Sequence, residues 1–375
     1  MSHLSLDAYS AHFSAEPGYL DFARFGPPSH DVNTVSSKCL SSVSRGFAPI
    51  DDLQEVHKRV RAQIASLTGR PSEDAVTFAS STSVANTMVA MALPADPRSE
   101  IVLSPREFPA NVYPWIRANA FGGPAVRWLE TDNGLVTPES VARQLTPATV
   151  GVVVSAVDFR TGYRADLAAL REVVGDRLLL VDAIQGFGAV DAPWHLADAL
   201  MVGGQKWLRA GWGTGFISLS DRAVERLGDG LAGWLAVESP FDYDGTVHPT
   251  RRDGQRMMIT TPDLVAVARL SSALDLLSDL GIAEMNSAIT ERTTYVRSVV
   301  SRAGGVLLSN VAVESYSGIT SFHLPGASPQ QLHERLKTDG ILVTCHDSYV
   351  RLSVHATTPI SILDEVGRSM KGLAL

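Results

Sequence analysis

Asp182 closes the apolar run Leu178 to Val181, and Lys206 follows a second apolar run, Ala199 to Val202, and two glycines, Gly203 and Gly204. Continuous apolar runs of this kind suit parallel strands buried on both faces. Ligands of open α/β sheets bind beyond the carboxyl ends of such strands. Both side chains are therefore expected to reach one crevice. Taken singly, Asp182 reads as a helix cap and Lys206 as a solvated lysine. Taken together they suit pyridoxal 5′-phosphate. A lysine forms a Schiff base with that cofactor. An aspartate beside the pyridine nitrogen keeps it protonated, so that the ring accepts electrons. Such a site also needs a phosphate cradle, a ring-stacking group and an anchor for the substrate carboxylate.

Ser81-Thr82-Ser83 is the candidate cradle. Its hydroxyls lie between a short strand, Ala75 to Phe78, and an apolar helix, Val84 to Leu93. A helix N-terminus favours a phosphate through its free amides and its dipole. Simple N-capping is the alternative use of the same hydroxyls. Neither a GxxxxGK[ST] motif nor a strand-anchored GxGxxG occurs. Nucleotide-loop and NAD-dependent oxidoreductase readings therefore lack their fingerprint.

The elements that must position these residues alternate along the chain. A chain of 375 residues suggests two or three domains, or one large α/β domain with an appendage. Pro49 to Leu67 reads as an amphipathic helix, with Leu53, Val56, Val60, Ile64 and Leu67 on one face and a stop near Gly69 and Pro71. Ile101 to Leu103, Gly151 to Val157, Leu178 to Val181, Ala199 to Val202 and Gly215 to Leu219 read as strands, and Thr137-Pro138-Glu139 opens a helix between them. This alternation predicts an α/β sheet covered by helices. The last third differs. Asp263 to Leu280 and Ile282 to Arg302 read as long helices, and Ser328 to Gln331 as a capping box. Strands Ile341 to Thr344 and Val350 to Val354 follow, then a helix from about Ser361. The expected division is a large α/β domain over 16–270 and a smaller α+β domain from 1–15 and 271–375.

Composition narrows the function. The chain is 45% hydrophobic and 19% charged, an ordinary globular balance. Its net charge of −8 argues against nucleic acid as a partner. No apolar run is long enough to span a membrane, and the first residues carry no signal-peptide pattern. Two cysteines, Cys39 and Cys345, make neither a disulfide framework nor a Cys-rich zinc site, so no metal is implied. A reduced, cytoplasmic setting is the expectation.

Several stretches together resemble the class V aminotransferase family of fold type I pyridoxal-phosphate enzymes. That family holds the cysteine desulfurases, kynureninase and the isopenicillin epimerases. The similar segments are Tyr19 to Ala23, Glu107 to Trp115, Asp182 to Gln185, Gly203 to Lys206, Arg256 to Pro262 and Val350 to Ser353. The resemblance implies a mostly parallel seven-stranded sheet with a smaller C-terminal α+β domain. It implies that Lys206 is the Schiff-base lysine and that Thr82 and Ser83 hold the phosphate. Phe108 would stack on the ring, while Asp182 and Gln185 would contact the pyridine nitrogen and O3′. Gln205 stands beside the lysine, where desulfurases carry histidine. Thr261 would reach the cofactor of a neighbouring protomer in a homodimer. Arg351 would hold the substrate α-carboxylate, a task suited to a bidentate guanidinium.

This sequence also departs from the family. Gly203 stands where relatives have a phosphate-binding serine. Arg24 stands where a small residue is usual, and reads either as a binder of a second carboxylate or acidic leaving group, or as part of a peripheral ion pair. Cys345 falls before the short loop His346 to Tyr349, not at the tip of a long loop. The leading expectation is a β-eliminating C–S lyase acting on a cysteine conjugate or sulfoxide. Transamination, desulfuration and epimerisation are the enzymatic alternatives. A silent, cofactor-binding homodimer is the non-enzyme alternative.

Overall fold

The structure is a computed structural model that describes residues 4–46, 50–371 and 373, with backbone alone for 50–54. Seven strands form the central sheet: β1 (Val76–Phe78), β2 (Glu100–Leu103), β3 (Ala125–Trp128), β4 (Thr149–Ser155), β5 (Leu178–Asp182), β6 (Ala199–Gly203) and β7 (Gly215–Leu219). Their order is β1-β7-β6-β5-β4-β2-β3, with β7 antiparallel to both neighbours and the other pairs parallel. Strand residues alternate between two cores, because successive side chains point to opposite faces. Val152, Val154, Leu179, Val181, Leu200 and Val202 face one helical layer. Val153, Leu178, Leu180, Ala199 and Met201 face the other.

The helix Ile50–Thr68 buries Val60 and Ile64 against the first core and stops before Gly69, which takes φ +69°. Pro49 and the side chain of Leu53, expected on this helix, lie outside the described residues. The helix Thr82–Ala92 starts two residues earlier than its apolar run suggests, because the Ser81 hydroxyl accepts the Val84 amide and serves as N-cap.

The second sheet is antiparallel, in the order β10 (Thr344–Cys345), β11 (Val350–Ser353), β9 (Ile319–His323), β8 (Val306–Leu307). It packs with the helices Ile282–Arg302, Pro329–Thr338 and Ile360–Lys371. The Ser328–Gln331 capping box forms as expected. The strand expected over Ile341 to Thr344 is shorter, because Leu342 instead bridges in parallel to Tyr19.

Residue 270 lies inside the unbroken helix Leu264–Leu280. Leu270, Leu274, Leu277 and Leu280 of that helix, and Met285 and Ile289 of the next, all pack into the large core. The small core begins at Val296 and Val300. The helix Ile282–Arg302 therefore feeds both cores. At the other end, Tyr9 belongs to the large core and Leu20 to the small one. The apolar stripe runs on from one helix to the next across Gly281, and burial follows the stripe rather than the chain break.

One close approach ties the N-terminal segment to the lysine loop. The Gly26 amide donates to the Gln205 carbonyl at 2.9 Å, and a Cβ at Gly26 would lie 2.0 Å from the Lys206 carbonyl oxygen. We predict that Gly26→Ala lowers stability by about 1–3 kcal/mol, since the loop must shift to admit one methyl. Urea unfolding measures this, and an unchanged midpoint would refute the packing described.

Candidate active site

Register brings the two charged residues together. β5 and β6 run in parallel with Asp182 opposite Met201, so both chains leave the sheet at the same edge. The chain then turns through Gly203 and Gly204, where the Gly204 amide meets the Thr214 carbonyl at 2.9 Å. A cavity of about 310 Å³ opens at this edge. Arg24, Thr82, Ser83, Phe108, Asp182, Gln185, Gln205, Lys206 and Arg351 all line it. Ser81, Phe159, Ile184 and Trp212 complete much of the wall.

Asp182 is buried and accepts two hydrogen bonds. The Ile184 amide reaches Oδ1 at 3.0 Å and the Asn86 amide reaches Oδ2 at 3.2 Å. Burial raises its carboxyl above the usual range, and these two bonds and the Lys206 charge oppose the shift. Lys206 lines the same cavity. Scarcity of water there lowers its ammonium from 10.5 to about 8, against the pull of Asp182 and with a push from Arg351. Among the described residues Lys206 makes no ion pair within 4.0 Å. Its amine is therefore poised to lose a proton near neutral pH and to act as base or nucleophile.

The cradle combines a capped helix with an unused hydroxyl. Ser81 spends its oxygen on the cap, and Ser83 is exposed. The Thr82 Oγ1 is buried without any hydrogen-bond partner. A Cβ at Gly203 would lie 2.6 Å from that oxygen and from Gln205 Oε1. As the loop stands, Gly203 leaves the room that Thr82 and Gln205 occupy. A serine there would require Thr82 or Gln205 to turn away.

Phe108 is 44% exposed, with its ring centre 5.6 Å from the Lys206 amine and edge-on to Phe159. Its loop is pinned by the neighbouring Glu107. That carboxylate accepts the Ser155 amide at 3.0 Å, the Ser155 hydroxyl and the Asn111 amide at 3.2 Å. Burial pushes Glu107 up to about 7 in spite of these bonds. Gln185 donates to the Ala23 carbonyl and accepts the Trp207 indole N–H, both at 2.9 Å. Its amide is thereby fixed between the N-terminal segment and the lysine loop. Arg351 is 6% exposed. It donates to the Phe159 carbonyl at 3.0 Å and Thr344 Oγ1 at 3.3 Å, and stands 3.7 Å from Asp21. Its Nε is buried without a partner.

Thr261 does not line this cavity, and neither do Arg160, Cys345 and His346. Thr261 is exposed in a separate cavity with Ser80, Gly213 and Ile259. Arg160 pairs with Asp158 at 2.9 Å and does not line the Lys206 cavity. Cys345 sits in β10 with its Sγ 3.7 Å from the His346 carbonyl, outside the cavity lining. Burial, then Asp347 and Glu334, raise its thiol. His346 stacks on Tyr349 with centroids 4.4 Å apart, and burial and Arg351 lower its imidazole.

The family model for class-V aminotransferases matches residues 33–363. The chain belongs to the class-V aminotransferase family. An uncharacterised aminotransferase of Bacillus subtilis, YcbU, is 28% identical over 61% of this chain and 60% of its own length. A kynureninase of Deinococcus radiodurans is 27% identical over 69% of this chain and 63% of its own. The chain thus spans less than two thirds of these curated relatives. Among solved structures, the cystine C–S lyase C-DES, in complex with its product cysteine persulfide, superposes with a TM-score of 0.87. It is 18% identical, over 96% of this chain and 99% of that one, a likeness of fold. The fold is that of the fold type I pyridoxal-phosphate enzymes. No described helix is long and apolar enough to cross a membrane.

The residues present fit that cofactor. The unpartnered Thr82 hydroxyl at a helix N-terminus suits its phosphate, and the half-satisfied Asp182 carboxylate suits a pyridinium N–H. Two contributors escaped the sequence reading. Asn86 is buried one turn after Thr82 and holds both Asp182 and the Ala110 carbonyl, at 2.9 Å, in front of Phe108. An asparagine inside an otherwise apolar helix was the available signal, since it is a poor helix former. Asp21 faces Arg351 from the opposite end of the chain, and no local pattern marks it.

The lowered Lys206 amine sets a pH signature for the protein freed of cofactor. Between about pH 8 and 10.5 the unfolded chain still holds this proton while the folded chain has lost it. Stability contributed by Lys206 therefore rises with pH across that window, by up to about 3 kcal/mol. We predict that Lys206→Met removes this rise, seen as the difference between wild-type and variant urea unfolding at the two ends of the window. A parallel pH dependence in both proteins would contradict it.

Proposed function

We propose that this chain cleaves a C–S bond in an amino acid by β-elimination, with Lys206 as the proton-transferring and cofactor-linking residue. Bound pyridoxal phosphate supplies an electron sink for a bond broken at Cα. The chain's residues supply the rest. Thr82 and Ser83 hold the phosphate, and Phe108 covers the ring. Asp182, braced by Asn86, accepts the pyridinium N–H, while Gln185 and Gln205 flank the ring. Arg351 takes the substrate α-carboxylate through Nε and a terminal nitrogen. The Lys206 amine removes the Cα proton. The balanced outcome is a cysteine conjugate plus water going to a thiol, pyruvate and ammonium; a persulfide replaces the thiol when the conjugate is a disulfide.

The observation that carries the choice of elimination is the position of Cys345. A desulfurase passes sulfur to a protein cysteine, which must meet the substrate. Cys345 is outside the lining and its thiol is raised, which disfavours the nucleophilic thiolate. Sulfur is then released to solution rather than relayed. We further propose a homodimer in which Thr261 serves the partner's cofactor. The exposed position of Thr261, beside the exposed Ile259, supports it.

The test is a product assay with cysteine, cystine and S-conjugates of cysteine. Pyruvate should form in step with a thiol or persulfide, and Cys345→Ser should keep activity within about 2-fold, as expected of a substitution that removes no contact to substrate. Alanine formed with loss of activity in Cys345→Ser would overturn the proposal in favour of desulfuration. Arg351→Lys should raise KM by about 10-fold or more with a smaller change in kcat, since the bidentate contact is lost. Wild-type KM would remove Arg351 from substrate binding.

A further inference from the structure

Three cations line the Lys206 cavity, Arg24, Lys206 and Arg351, against the single lining carboxylate of Asp182. Two of them have counter-charges. Asp182 acts on Lys206, and Asp21 stands 3.7 Å from Arg351. Arg24 has none. Its side chain makes no contact ion pair and no hydrogen bond with any described residue. Asp21, three residues away, already accepts the Thr344 hydroxyl at 2.7 Å.

The backbone that carries Arg24 is held on several sides. The Ala23 amide donates to Ser353 Oγ at 2.8 Å, and the Ala23 carbonyl accepts Gln185. The Arg24 amide donates to the Asp21 carbonyl at 3.0 Å, and the Tyr19 hydroxyl donates to the Phe25 carbonyl at 2.8 Å. An exposed guanidinium without a contact partner, carried by a fixed segment, thus lines a cavity whose other walls include Phe108, Phe159, Ile184 and Trp212. With the α-carboxylate assigned to Arg351 and the phosphate to the helix N-terminus, Arg24 is left over.

We propose that Arg24 binds a second acidic group of the substrate, so that the site selects amino acids whose side chain or leaving group ends in a carboxylate, sulfinate or sulfonate. This rests on the reading of the cavity as the cofactor and substrate site, but not on which bond is broken there.

The test uses the pyridoxal-phosphate-loaded enzyme and unreactive acids. Glutarate and succinate are compared with valerate and butyrate, chain for chain, by calorimetry. The wild type should bind each dicarboxylate about 10-fold or more tighter than its monocarboxylate, the scale of one charge-assisted hydrogen-bonded contact. Arg24→Ala should abolish that preference and leave monocarboxylate affinity within about 2-fold, and Arg24→Lys should restore part of it. The absence of a preference in the wild type, or an equal loss for both acids in Arg24→Ala, overturns the inference. So does a loss of pyridoxal-phosphate affinity in Arg24→Ala, which would give Arg24 to the phosphate. A change of oligomeric state in that variant would give it to a partner subunit and also overturns it. Wild-type protein that takes up no pyridoxal phosphate would instead sink the underlying reading of the cavity.

Discussion

An ammonium and a carboxylate share one water-poor edge of a parallel sheet, and the rest of the molecule keeps them there. Neither charge is neutralised by direct contact with the other. Burial alone makes both costly. The cost is tolerated because β4, β5 and β6 leave Asp182 and the Gly203–Lys206 turn no other exit. It is offset in part by the Ile184 and Asn86 bonds to Asp182. The same lack of water lowers Lys206 toward neutrality, which gives it a transferable proton.

Three distant segments converge to support this edge. The N-terminal stretch from Tyr19 to Pro28 lies along the lysine loop, with Gly26 against the Lys206 carbonyl and Pro27 accepting Arg209 at 2.6 Å. Arg209 itself takes the left-handed φ of +58° and lies over Phe13, with its guanidinium carbon 3.5 Å from the ring centre. Such a conformation in a non-glycine residue persists only where its surroundings fix it. The C-terminal domain contributes Arg351 and Ser353 from β11, which bridges to Asp21. The site is therefore complete only when both domains are docked.

The charged pair was legible in the sequence because each residue ends a continuous apolar run, a pattern that fixes both the strand and its carboxyl end. Thr82 was legible for a related reason, standing where a strand turns into a helix. Asp21 and the freedom of Arg24 were not, since they depend on contacts with residues some 300 positions away, such as Thr344. The edge strand β3 was missed because its Arg127 and Trp128 are exposed and break the apolar run. The stripe Leu270 to Ile289 continues the large core across Gly281, a continuity that no break in composition marks. Thr261 matched the family segment, but one chain alone leaves it outside the Lys206 cavity.

The most direct test of the account is to load the protein with pyridoxal phosphate, reduce it with borohydride and map the labelled peptide by mass spectrometry. The account predicts a single phosphopyridoxyl mass on Lys206, about one per chain. A label on another lysine, or none on the folded protein, would contradict it.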